Sequence, residues 1–264
     1  MDLGLRDRVA IVVGSSRGIG RAIAMEFAQE GCSVTISART EADLRHTEIE
    51  LARIGSQHHV LAIPADLSSP RDIRRVVRDT VNRFGQVGIL VTHAWYAPSG
   101  KPSEFNDETI TAALEQNFLS TIRLTREVIP YMKQQRWGRI IHLLPTQVKQ
   151  STNGTALATA SQLALVGYSK MLATELAPFG ITVNNVISGP IQTEFLTASM
   201  ESKAQEQRRT TEEVVLETVA AIPMGRLGKP EEVGDLVAFL ASDRAGFLTG
   251  TSVVIDGGML QTIN

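Results

Sequence analysis

Hydrophobic positions fall into short, almost unbroken runs at wide spacing: Val9–Val13, Ser33–Ser37, Val60–Ile63, Ile89–Val91, Arg139–Leu144, Thr182–Ile187 and Ser252–Ile255. Between them, apolar residues recur at helical spacing over Ile19–Glu30, Glu41–Ile54, Pro70–Phe84, Thr109–Gln135, Ala156–Phe179 and Pro230–Leu240. Strands alternating with helices predict repeated βαβ units, hence an α/β chain with a doubly wound parallel sheet of about seven strands. A run as uniformly apolar as Val9–Val13 suits a strand covered on both faces. Punctuation agrees: Gly31 follows the first helix, Pro70 and Pro230 sit at helix starts, and Pro130 is expected to kink the fourth helix near its end. No repeat or Pro/Gly-rich linker interrupts the pattern, so residues 1–264 read as one domain. The polar stretch Ser199–Glu213 reads as a solvated helix, or alternatively as a mobile lid over a ligand cleft.

Composition narrows the function classes. Of 264 residues 43% are hydrophobic, and 26 Lys and Arg against 28 Asp and Glu leave a formal charge of −2. Such a balance offers no electrostatic footprint for nucleic acid. The aliphatic runs fall far short of the ~20 residues that span a bilayer, and no signal or transit peptide is visible, so a cytoplasmic protein without a membrane partner is expected. Cys32 is the only cysteine, which excludes an intrachain disulfide, and no His/Asp/Glu cluster has metal spacing, so no metal is expected.

The first strand ends in Val13-Gly14-Ser15-Ser16-Arg17-Gly18-Ile19-Gly20, where a helix begins. Glycines let backbone turn tightly and approach a pyrophosphate, and free N–H groups at a helix start attract its charge. The spacing is G-x-x-x-G-x-G, and its place between first strand and first helix makes it a nucleotide signal. Arg17 lies in this turn, and Arg39 follows the second strand, where the adenosine ribose is expected. An acidic residue there would suit the 2′-hydroxyl of NAD; arginine suits the 2′-phosphate of NADP.

Further motifs accompany the turn: Asp66-Leu67 after the third strand, Asn117 in the fourth helix, and Gly138-Arg139-Ile140-Ile141 opening the fifth strand. Glu175–Val183 leads from the fifth long helix into the sixth strand, and Leu248-Thr249-Gly250 with Val254-Ile255-Asp256-Gly257-Gly258 closes the chain. From about Leu5 to Gly258 the sequence resembles the short-chain dehydrogenases/reductases of the single-domain, Rossmann-type kind, close in pattern to 3-oxoacyl-carrier-protein reductases. The resemblance implies carbonyl reduction with NADP, and a cofactor site at Gly14, Ser16, Arg17, Gly18, Ile19, Arg39, Asp66, Leu67 and Thr193. It also implies a Ser, Tyr and Lys centre supported by an Asn.

That centre is missing. Asn117 fills the Asn position, but without gaps from Gly138 the serine position falls on Pro145, the tyrosine position on Ala158 and the lysine position on Gln162. Four residues beyond Tyr96, Tyr131 and Tyr168 stand Gly100, Gln135 and Leu172, so no Tyr-x-x-x-Lys exists in the chain. The spacing matters because residues i and i+4 share a helix face. Pro145 has no side-chain donor, Ala158 no proton, and Gln162 no charge to depress a neighbouring pKa. A positioned general acid is worth about 10²–10⁴ in rate. After the fourth strand the family's Asn-Asn-Ala-Gly is replaced by Thr92-His93-Ala94-Trp95, and its Pro-Gly after the sixth strand by Ser188-Gly189.

Three expectations follow, the third being a purely structural role without any ligand. The first is a family member with a degenerate hydride-transfer centre, working as a non-catalytic or partner-dependent subunit of a homo- or hetero-oligomer that still binds a dinucleotide or another small molecule. The second is an active NADP-dependent or non-redox enzyme in which Tyr96, His93 or His142 handles the proton. In open parallel sheets ligands lie beyond the strand ends, where His93 and Tyr96 fall.

Overall fold

The computed structural model describes residues 2–54, 57–93, 98 and 100–262. Its strands are β1 (Val9–Val13), β2 (Ser33–Ala38), β3 (Val60–Pro64), β4 (Ile89–His93), β5 (Gly138–Pro145), β6 (Ile181–Ser188) and β7 (Ser252–Ile255). They form a 7-stranded sheet in the order β3-β2-β1-β4-β5-β6-β7, parallel at every pairing. Each strand is legible as an apolar run, and the sheet extends most of them by a residue or two. The order reverses between β1 and β4, which opens a crevice beyond the carboxyl ends of those two strands.

Period-two alternation sorts each strand between two cores. On one face Val12, Val91 and Ile141 pack with Ile23 and Phe27 of α1 (Gly18–Gln29), Leu44 and Leu51 of α2 (Glu41–Ile54), and Val233 and Val237 of α9 (Pro230–Ala241). On the other, Ile11, Leu90, Ile140 and Val183 pack against Ile73 and Val76 of α3 (Pro70–Phe84), with Leu124 and Val128 of α5 (Ser120–Gln135) and Leu172 of α6 (Ala156–Leu176).

Helix ends follow local chemistry. Ser69 accepts from Asp72 N at 3.3 Å and Pro70 opens α3, while Gly85 closes it at φ 79°. Asn106 accepts from Thr109 N at 2.8 Å, so α4 (Asp107–Leu114) starts before the apolar periodicity does. The segment Thr109–Gln135 is not one regular helix. A π-turn at Glu115–Leu119 separates α4 from α5 and carries Asn117. Such bulges gather at functional sites, and here it turns Asn117 toward α6.

Ser199–Glu213 proves to be parts of two helices, α7 (Glu194–Gln207) and α8 (Thr211–Ala220). They share a small core of Met200, Ala204 and Val214, which gives this pair a packed apolar seam of its own. The start of α8 is fixed by a capping box, Thr210 with Glu213.

At the amino-terminal edge of the sheet, Trp137 is sandwiched by Arg8 and Arg139, at 3.8 and 4.5 Å from its ring centre. Asp243 accepts from Trp137 Nε1 at 2.8 Å and pairs with buried Arg139 at 3.4 Å. Asp243→Ala leaves both donors short of an acceptor and is expected to lower stability by about 1–3 kcal/mol, read from urea unfolding. Among the described residues no helix is long and apolar enough to cross a membrane.

Candidate functional site

The glycine turn sits at the crevice and is braced from beneath. Ser15, fully buried, donates through Oγ to Val12 O at 2.7 Å and accepts from Ser37 N at 3.0 Å. Thr47 of α2 donates to Ser16 O at 3.0 Å. Gly14 takes φ 70° and is exposed, and Gly18 takes φ 56°. A Cβ on Gly20 would stand 2.2 Å from Gly14 O, so only glycine lets α1 start so close to the turn. No side chain caps α1 at Arg17, which leaves its first N–H groups to a ligand. The resulting cradle of bare backbone and uncapped amides fits a pyrophosphate.

Of the other cofactor candidates, Arg39 follows β2, Asp66 and Leu67 follow β3, and Thr193 stands beside Gly18. Arg17 and Arg39 are exposed, and neither joins an ion pair among the described residues. Asp66 accepts from Ser68 N at 2.9 Å, and Asp66 N donates to Asp72 Oδ2 at 3.0 Å, a bond that holds the Asp72 carboxyl below its usual range. Leu67 packs half-buried on the core beneath. Thr193 caps α7 by accepting from Leu196 N at 3.2 Å, and its methyl lies 3.1 Å from where a Gly18 Cβ would be. A cavity of about 600 Å³ opens beside Gly18 and Thr193, between α1, α7 and α9.

The reactive side is different. Asn117, on the π-turn, donates through Nδ2 to Ser161 Oγ at 3.0 Å, and Ser161 donates on to Leu157 O at 2.6 Å. Ala158, Ser161 and Gln162 are all buried on one side of α6. The structure thus brings Asn117 against α6 through the Ser161 hydroxyl, with Ala158 and Gln162 buried on the same side of that helix. Ser161 was not singled out from sequence; its position three residues from Ala158, on the same helix face, was the available signal. Pro145 ends β5, opposite Ser188 of β6.

Of the three substitute proton carriers, His142 is fully buried within β5, with Nδ1 2.7 Å from Thr92 Oγ1 and Nε2 without a partner among the described residues. Burial pushes its pKa down to about 4. It is neutral at pH 7 and sealed from any ligand. His93 ends β4 half-buried, and burial lowers its pKa too. A Cβ on Gly14 would lie 3.2 Å from His93 O and 3.8 Å from its Nδ1, so this imidazole borders the glycine turn. Tyr96 and Trp95 lie outside the described residues. Tyr168 stacks edge-on against Phe118, 6.2 Å between centres, as a packing residue.

Comparison with known proteins bears on the family and the fold. Residues 13–260 match the family model described as enoyl-(acyl carrier protein) reductase. The chain is 34% identical over 254 residues to a putative ketoacyl reductase of the monensin polyketide synthase from Streptomyces virginiae, covering 96% of this chain and 97% of that one. It is 34% identical over 257 residues to the 3-oxoacyl-[acyl-carrier-protein] reductase of Escherichia coli (strain K12), covering 97% and 99%. Among solved structures, L-sorbose reductase from Gluconobacter frateurii, complexed with NADPH and L-sorbose, superposes with a TM-score of 0.94 at 30% identity over 100% of both chains. A single-substitution variant of actinorhodin polyketide ketoreductase with NADPH gives 0.91 at 33% identity, covering 97% and 98%. The chain belongs to the short-chain dehydrogenase/reductase family, among its members similar to the 3-oxoacyl-carrier-protein reductases.

Proposed function

We propose that this protein is an NADP(H)-dependent oxidoreductase acting on a carbonyl–alcohol pair, with its proton handled from the end of β4 rather than from α6. The observation that carries the reading is the half-buried His93 imidazole bordering the Gly14 turn. Gly14, Ser16, Arg17, Gly18 and Ile19 would hold the pyrophosphate and Arg39 the 2′-phosphate, with Asp66 and Leu67 at the adenine and Thr193 at the nicotinamide amide. The bound nucleotide supplies or takes up a hydride. Relatives described as ketoacyl reductases and structural neighbours described as NADPH complexes support the class.

His93 is neutral at physiological pH because burial lowers its pKa. A neutral imidazole accepts the proton from an alcohol in the oxidative direction and becomes imidazolium, and in the reductive direction it is that imidazolium that returns the proton to the forming alkoxide. Oxidation is therefore expected to fall as the pH drops and His93 becomes protonated. His93→Ala should cut turnover by about 10²-fold or more, and Tyr96→Phe serves as the parallel test of the other residue beyond this strand. Full activity in both variants contradicts this assignment.

A second reading, a non-catalytic or partner-dependent subunit, is supported by Ala158 and Gln162, to which the resemblance assigns the positions of the acid and the cation: both are buried and neither carries such a group. It predicts nucleotide binding without turnover. Either reading allows an oligomer with itself or a related chain. On α6 the exposed Leu163 and Met171, 45% and 71% accessible, share a face with Gly167, which has open space around it. Gly167→Arg is expected to dissociate such an assembly, and an unchanged sedimentation profile argues against this face.

A further inference from the structure

Helix α3 holds five arginines (Arg71, Arg74, Arg75, Arg78 and Arg83) against two aspartates over 15 residues. This is a formal +3 within a chain of −2, so the rest of the molecule sums to −5. Arg71, Arg74, Arg75 and Arg78 recur at i, i+3, i+4 and i+7, one face of the helix, while Ile73, Val76 and Thr80 turn into the core. The arginine face does not look straight into solvent. It forms one wall of a concave site of about 400 Å³, whose other wall is Glu127 and Tyr131 of α5.

Ordinary surface pairing accounts for only half of the four cations on this face. Arg75 donates to Pro64 O at 2.5 Å and to Asp72 Oδ1 at 3.2 Å, and Arg78 pairs with Asp79 at 2.9 Å. Arg71 and Arg74 are exposed, and no ion pair to either is found among the described residues. The partners of Arg75 also fix its guanidinium before any ligand arrives.

We propose that the groove between α3 and α5 binds a small polyanion: a ligand with at least two phosphate or carboxylate groups, and hydroxyl donors for Glu127. Guanidinium forks match such groups bidentately. Seven residues of helix separate Arg71 from Arg78, about 10 Å, which suits two anionic groups on one ligand. The volume falls in the small-molecule range of about 300–1,000 Å³. This groove follows β3, whereas the glycine turn follows β1, and the inference stands independently of the function proposed above.

Calorimetric titration of the full chain with inorganic tripolyphosphate, at fixed ionic strength, tests it. A saturable site additional to the glycine turn is expected, weakened at least about tenfold in Arg74→Glu. Arg83→Glu makes the same charge change on the same helix outside the groove and should leave the affinity within about twofold. Arg17→Glu should also leave it, because the glycine turn is a different anion site. Absence of saturable binding, equal weakening by Arg83→Glu, or loss through Arg17→Glu overturns the proposal.

Discussion

Gly20→Ala is expected to weaken NADP(H) binding by at least about 100-fold, roughly 3 kcal/mol. The cause is steric. The added methyl would lie 2.2 Å from Gly14 O and 2.8 Å from Gly14 C, which are backbone atoms with no rotamer to retreat into. Either α1 moves away or the turn opens, and both displace the amides that would face a pyrophosphate. Overpacking of this kind also costs about 1–3 kcal/mol of stability. Gly167→Ala is the control: a Cβ there meets nothing within 4 Å, so helix propensity should stabilise α6 by up to ~1 kcal/mol without touching binding. Equal nucleotide affinity for Gly20→Ala and the unsubstituted chain would remove the turn from the account.

Lowering the pH from about 7 to about 5 is expected to cost about 2 kcal/mol of folding stability through His142 alone. Its folded pKa is about 4 against an ordinary value of 6.5, and complete burial is the cause. The unfolded chain therefore binds a proton that the folded chain refuses. The stabilisation is complete above about pH 6.5 and is lost as pH falls toward 4, reaching about 3 kcal/mol in all. His93, lowered by the same cause, acts in the same direction. Glu26 acts in the opposite one, because burial and the nearby Asp235 and Glu30 raise its pKa, so the folded chain gains there as pH falls. Asp72, held low by its bond from Asp66 N, and Glu232, held at about 2 by Arg226, matter only in more acid solution. Urea unfolding across this window, beside His142→Gln, isolates the histidine. A variant with an unchanged pH slope would contradict the assignment.

The sheet was legible because parallel strands covered on both faces are apolar runs that no other element mimics at that length. Val9–Val13 and Ser252–Ile255 were placed to the residue. The π-turn at Glu115–Leu119 was not, because an i→i+5 bond leaves no residue signature and here accompanies packing of Asn117 on Ser161. Helix α8 was missed because its residues are mostly polar or exposed. Thr210 and Glu213 carried the one usable cue, a Thr-x-x-Glu capping box.

The glycine turn was legible because glycine acts there through backbone freedom, which sequence displays directly. The surroundings of the two histidines were not. The sequence puts His93 at the end of the fourth strand and His142 inside the fifth, but the degree of burial that separates them is not written in the residues. In the parallel register Thr92 stands opposite His142 and His93 opposite Leu143, so the two histidines differ by a single step along the sheet. That step leaves His142 sealed beside Thr92 and puts His93 at the rim. That both histidines are lowered by desolvation follows from the same sheet that makes the strands apolar.

Calorimetric titration of NADPH and NADH into the unsubstituted chain and Arg39→Ala tests the central claim most directly. One site per chain is predicted, with NADPH at least about tenfold tighter than NADH and the preference lost in Arg39→Ala. No saturable heat with either nucleotide, or equal affinity for both in the unsubstituted chain, would contradict it.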